Sequence, residues 1–167
     1  EISLGLVGSE MCIRDRLYKE IRATNGVISA IDMMLHDYGP DRYSGSVNIE
    51  IDHKRSIGEV YEEIHRLQLR IMEEYHVTMV FGIYAVDEDT AAIVDIRRYI
   101  GKFVRVNEHV KSFHALYLSK ETGTLYCDLI VDYALRDWEE LRESFVEYMK
   151  KQYSEYEISL TIETEFV

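Results

Sequence analysis

Imidazoles and carboxylates are the groups in this chain whose types and spacing could do chemistry. The 167 residues include six histidines (His36, His53, His65, His76, His109 and His114) and two cysteines. His36 is followed by Asp37 ahead of a Gly39-Pro40 turn, and His53 follows Asp52 at the end of the next apolar alternation. Imidazole beside carboxylate suits a first-row divalent cation, zinc or manganese among them. His36, Asp37 and His53 are therefore candidate ligands of a weak metal site. A plainer reading is favoured on spacing: a strand end closed by a hydrogen-bonded Asp turn. His114 is a fourth candidate, but it lies in an apolar stretch with no acidic neighbour in sequence, which reads better as a core histidine.

The remaining titratable groups read as surface. His65 lies at a charged flank of a helical pattern, and His76 closes that pattern, where an imidazolium would meet the helix dipole favourably. His109 precedes a strand and has no partner visible in sequence. Glu62, Glu63, Glu73 and Glu74 fall at solvent positions of the same helix, a hydrated face rather than an acid–base pair. No P-loop, HExxH, GxSxG or GxGxxG motif is present, so no catalytic constellation supports an enzyme.

Composition narrows the partners. A formal charge of −12 opposes binding to a phosphate backbone, so nucleic acid is not expected, and the tyrosines read as core-edge positions rather than a base-stacking platform. No apolar run approaches the ~18–20 residues of a membrane helix.

Residues 1–16 differ from the rest. They show no cap and no clean period, and no basic residue precedes the short apolar stretch Ile2 to Val7 as a signal peptide would require. The string from Ser9 to Arg16 resembles translated sequencing-adapter read-through fused to a gene fragment. The segment is therefore set apart as non-native, and the protein is expected to continue upstream. Its arginines (Arg14, Arg16) nearly balance its carboxylates (Glu1, Glu10, Asp15), so the acidity belongs to residues 17–167. Cys12 falls inside the segment. Cys127 is left as a lone cysteine in an apolar alternation, most simply a small buried residue in a reducing compartment.

The elements that must position these groups come in two copies. From Ser56 to Tyr75, Ile57, Val60, Tyr61, Ile64, Leu67, Ile71, Met72 and Tyr75 form the stripe of an amphipathic helix, opened by a Ser56–Glu59 capping box. From Asp137 to Gln152 the pattern recurs with Trp138, Leu141, Phe145, Tyr148 and Met149, with Asp137 and Glu140 as its cap. Strands precede each helix (Val47 to Ile51; Leu125 to Val131) and follow it (Val77 to Ala85; Ile158 to Ile162). Earlier strands run over Val27 to Leu35 and Phe113 to Leu118, behind helices over Leu17 to Thr24 and Thr90 to Phe103. Each half thus reads α-β-β-α-β, an α+β fold of two tandem ferredoxin-like, metallochaperone-like repeats over residues 17–87 and 88–167. Apolar residues on both faces of Val77 to Ala85 predict that the helix-free side of that sheet is covered, by the sister repeat or by another subunit.

The stretch His36-Asp37-Tyr38-Gly39-Pro40-Asp41-Arg42 resembles the cytoplasmic C-terminal domain of cation diffusion facilitator transporters. There a strand runs into His-Asp-Tyr-Gly-Pro-Gly-Arg, then a Val-x-Val-Glu strand and an acidic helix, as Ser46-Val47-Asn48-Ile49-Glu50 and the Ser56 helix do here. The likeness covers Leu17 to about Asp87. The second half more loosely resembles an extra C-terminal repeat of some bacterial members, at Ser112-Phe113-His114-Ala115, Leu125 to Val131, and Tyr156 to Phe166-Val167. In metal-sensing members the aligned ligand positions hold His, His, His and His-x-Asp; here they hold Ile31, Asn48, Gly58, and Gly82 with Tyr84. The family's binuclear regulatory site therefore looks dismantled in the first repeat. In the second, His114 keeps the first-strand His while Ala115 replaces the Asp.

The resemblance implies the cytoplasmic, homodimerising and regulatory region of a divalent metal efflux transporter, separated from its membrane domain and lying at the cytoplasmic face of the cell membrane. The alternative is a free-standing tandem ferredoxin-like module that binds a small ligand between its repeats.

Overall fold

A computed structural model describes residues 4–40 and 42–164. Asp41 of the turn motif and the closing Phe166-Val167 lie outside the described residues. The chain divides into two compact units, one running to Tyr84 and the other beginning at Ala85. Both have the α+β architecture and the αββαβ order expected from the sequence. The first comprises α1 (Leu4–Arg22), β1 (Val27–Asp37), β2 (Tyr43–Asp52), α2 (Ile57–Tyr75) and β3 (Val77–Val86, whose last two residues fall in the second unit). The second comprises α3 (Ala91–Val106), β4 (Val110–Ser119), β5 (Thr124–Val131), α4 (Trp138–Lys150) and β6 (Glu157–Thr164). Each sheet has three strands with the middle one in the centre, in the orders β1-β2-β3 and β4-β5-β6. β1 and β2 are antiparallel, as are β4 and β5, whereas β5 and β6 are parallel. A parallel return needs a crossover, and α4 provides it.

Local chemistry sets the helix starts. The Ser56 side chain accepts from the Glu59 amide while the Glu59 carboxylate accepts from the Ser56 amide, so the capping box of α2 is complete. Asp137 caps α4 by accepting from the Glu140 amide at 2.9 Å. At α3 the capping group is not the residue next to the helix. The buried Asp87 carboxylate accepts from the amides of Asp89 and Thr90 and from the Thr90 hydroxyl. Helix α1 begins at Leu4 rather than near Leu17, and Ile13, within the segment set apart above, packs against the first core.

The first core joins Leu17 and Ile21 of α1 to Val60, Ile64, Leu67 and Ile71 of α2 over Met33, Val47, Ile49 and Val77 of the sheet. The second joins Ile93, Ile96, Ile100 and Phe103 of α3 to Leu141, Phe145 and Met149 of α4 over Leu116, Leu125, Cys127 and Leu129. Phe145 is fully buried and edge-on to Phe103 at 5.1 Å between ring centres. Truncating it to alanine would cost ~3–5 kcal/mol.

Burial corrects one expectation. Of the apolar positions in the stripe assigned to α2, Ile57, Tyr61 and Met72 are exposed, because the core-facing row is Val60, Ile64, Leu67 and Ile71, with Tyr75 partly buried against it. On β3, Val77 and Met79 are buried and Val80 is 61% exposed.

Candidate functional site

The first strand of each sheet breaks register at the same place. In β1 the break falls between Ile31 and Met34, and in β4 between His114 and Tyr117. A residue in the left-handed region sits in each break, Asp32 and Ala115, both with φ 53°. Such β-bulges re-aim side chains and leave ladder groups unpaired. The fold supplies partners for them. Tyr18 of α1 accepts from the Met33 amide at 3.1 Å in the first unit, and the Asp87 amide donates to the Leu116 carbonyl at 3.4 Å in the second.

The bulges organise the helix-free face of each sheet. In the first unit Ile31 pairs with Asn48 across the ladder, and the Asn48 carboxamide donates to Asp32 at 3.4 Å. Gly82 lies directly beside Asn48, whose side chain occupies the space a Cβ would need. Three of the positions aligned with family ligands thus come together, as isoleucine, asparagine and glycine. Gly58 is elsewhere, in the open first turn of α2. In the second unit His114 pairs with Asp128, and Asp128 pairs with Thr161 of β6. Asp128 is buried, and the His114 ring nitrogen Nε2 lies 3.1 Å from the Ser112 hydroxyl. Directly opposed residues of an antiparallel pair hold their Cβ atoms ~4.5–5.5 Å apart. An imidazole and a carboxylate therefore share one spot on this face, and the carboxylate comes from a residue the sequence alone did not single out.

The other candidates are dispersed. His36 is opposite Ser44 at the end of β1, whereas His53 lies beyond the end of β2 that pairs with the start of β1. A ten-residue strand such as β2 spans roughly 33 Å, so His36 and His53 are far outside the reach of one ion. Asp37 serves the turn, accepting from the Gly39 amide at 2.7 Å. Within the same turn the Tyr38 amide donates to Arg42 and the Arg42 amide to Gly39. His53 stands 3.5 Å from Asp52, which also accepts from the Lys54 amide. Beside the His36 turn a cleft is lined by Tyr38, Arg42, Met72 and His76, without His36 or Asp37. Among the described residues no group of three or more His, Cys, Asp or Glu is arranged to hold a metal ion.

His109 has a partner that sequence inspection missed. Its Nδ1 lies 3.0 Å from Asp132, and Lys111 reaches the second oxygen of the same carboxylate at 3.2 Å. The backbones are joined too, with the Asp132 amide donating to the His109 carbonyl at 3.0 Å. Partial burial pushes the Asp132 carboxyl up, but hydrogen bonds from Lys111, His109 and the Ala134 amide outweigh it and hold the group below its ordinary range. Separation by β4, a turn and β5 hid this contact from any local pattern.

The fold and these faces define an α+β class of successive αββαβ units, with the His114–Asp128 imidazole–carboxylate pair on the helix-free face of the second sheet. The chain is similar to the solved structure of MamM-CTD 215-293, at 13% identity over 46% of this chain and 99% of that one, with TM-score 0.42. It is also similar to a substituted MamM CTD in a nickel form, at 13% identity, 46% and 99% coverage and TM-score 0.42. A doubly substituted MamM-CTD matches at 12% identity, 48% and 99% coverage and TM-score 0.44. No protein-family model and no curated protein matches the chain.

Proposed function

We propose that this chain is the cytoplasmic dimerisation and regulatory region of a divalent-cation efflux transporter, with transport carried by a membrane part of the same protein. The observation that carries the reading is the His36–Arg42 turn. It joins β1 to β2 of an αββαβ unit and is followed by β2 and the capped acidic helix α2, the order found in cation diffusion facilitator cytoplasmic domains. No helix among the described residues is long and apolar enough to cross a membrane. On this reading the chain catalyses nothing, and it works by holding two copies together. A bound cation would find an imidazole and a carboxylate together at His114 and Asp128 on the helix-free face of the second sheet.

Light scattering of the chain at micromolar concentration tests the reading, with a dimer expected and a strict monomer overturning it. Titration calorimetry with zinc and manganese tests the metal side, with no sub-micromolar stoichiometric site expected. A tight site lost in His114→Ala would instead give this region a sensing role.

A further inference from the structure

Helix α2 has two stripes, and only one of them faces its own sheet. The outer one is formed by Ile57, Tyr61, His65, Leu69 and Met72. Ile57 is 75% exposed, Tyr61 65%, Leu69 51% and Met72 42%. The first four recur at every fourth position, so they make one ridge that drifts slowly round the helix. From Ile57 to Met72 it runs about 22 Å without a charged residue. Tyr61 and His65 stack with ring centres 5.7 Å apart and planes 7° from parallel, giving the ridge a flat aromatic step.

The fold does not require this ridge. Counted from the caps Ser56 and Asp137, the same four positions of α4 hold Trp138, Arg142, Val146 and Lys150. Arg142 turns onto the sheet, donating to the Leu160 carbonyl at 2.6 Å. One helix of the pair thus has an outer row broken by Arg142 and Lys150, and the other a row of apolar and aromatic residues with His65 stacked into it. Single exposed apolar residues are ordinary, whereas a contiguous row marks an interaction site.

Charge identifies the occupant. Glu62 and Glu73 border the ridge, with Glu59, Glu63 and Glu74 further round the helix. The two arginines of α2 are engaged, Arg66 with Glu63 at 3.0 Å and Arg70 with Glu20 of α1 at 2.8 Å. Along Ile57 to Leu69 the border is left negative on a chain of formal charge −12, while Arg42 and His76 line the cleft beside Met72. A second copy would set carboxylates against carboxylates, while Lys or Arg flanking an apolar stripe would complement them. We propose that the outer face of α2 docks a basic amphipathic helix of a partner protein, laid along the ridge from Ile57 to Met72.

The probe is a synthetic leucine–lysine peptide with leucines at helical spacing, followed by fluorescence anisotropy and amide chemical shifts of the full chain. Expected are saturable binding, shifts clustered on residues 57–76, and weakening of about tenfold or more in a Tyr61→Ser, Leu69→Ser double variant with an unchanged thermal melt. Charge reversal by Glu62→Lys with Glu73→Lys should weaken binding similarly and flatten its salt dependence. Equal binding of a scrambled peptide of the same composition, or shifts centred away from α2, would reduce the effect to net charge and overturn the proposal. Loss of self-association in the double variant would assign the ridge to a second copy and overturn it equally.

Discussion

Asp32 and Ala115 hold the same backbone position in two different sheets, each the left-handed residue of a bulge in the first strand of its unit, each with φ 53°. Aspartate visits that region more readily than most residues because its short polar side chain can bond locally, and here the side chain also accepts from the Asn48 carboxamide across the ladder. Alanine has no such compensation. A left-handed alanine costs ~1–2 kcal/mol, partly offset by the extra unfolded-state freedom glycine would bring. Ala115→Gly is therefore expected to leave stability unchanged or raise it by up to about 1 kcal/mol. Ala30→Gly, at a buried position of β1 with no left-handed backbone, should lower it. Urea unfolding of the two variants checks the contrast in sign.

The Asp132 clasp should be visible in acid. Its carboxyl is held below the ordinary range in the folded chain, so its contribution is present above the unfolded value near pH ~3.9. That contribution fades as pH falls through the lower folded value. Asp132→Asn is expected to flatten this acid limb and to loosen the joint between β4 and the loop after β5. Urea midpoints from neutral pH down to pH ~2 for the two proteins measure it, and identical acid limbs would contradict the assignment.

The α2 cap supplies a second acid-sensitive element of different origin. Hydrogen bonds from the Ser56 hydroxyl and amide hold the Glu59 carboxyl low. Ser56→Ala should cost about 1 kcal/mol. The capping share contributed by Glu59 is present above its unfolded value and disappears on acidification through the folded one. Thermal melts at neutral and acid pH should therefore show the Ser56→Ala penalty shrinking in acid.

Alkaline pH tests the α3–α4 contact. Tyr99 and Tyr148 stack at 4.2 Å, and each hydroxyl donates to the other's backbone carbonyl, at 3.1 and 3.0 Å. Burial, reinforced by Tyr99, raises the Tyr148 phenol above its ordinary value. The stability tied to its neutral form is thus complete below pH ~10 and is lost as pH rises through the folded value. Tyr148→Phe should cost ~0.5–1.5 kcal/mol at neutral pH and make alkaline unfolding less steep, as followed by circular dichroism.

Features that depend on neighbours along the chain were legible in the sequence. Ser56 with Glu59 and Asp137 with Glu140 announced two helices because a cap acts over three residues. The Gly39-Pro40 turn marked the end of β1. Contacts set by register were hidden. His114 meets Asp128 only because of where the β4–β5 ladder stands relative to its bulge, and no residue count reveals a bulge in advance. His109 and Asp132 are joined across a whole hairpin. His36 and His53, adjacent strand ends when written out, are driven apart because a hairpin returns the chain to its start. Helix periodicity likewise could not tell the buried stripe of α2 from the exposed one beside it, since both are apolar at helical spacing.

The duplicated bulge has a consequence for stoichiometry. Both units build the same backbone irregularity, yet the facing pair is Ile31 with Asn48 in one and His114 with Asp128 in the other. Any ligand that needs an imidazole at that point therefore has one place per chain rather than two. An assembly of two chains would saturate at two equivalents, with the remaining pair of bulges inert as scaffolding.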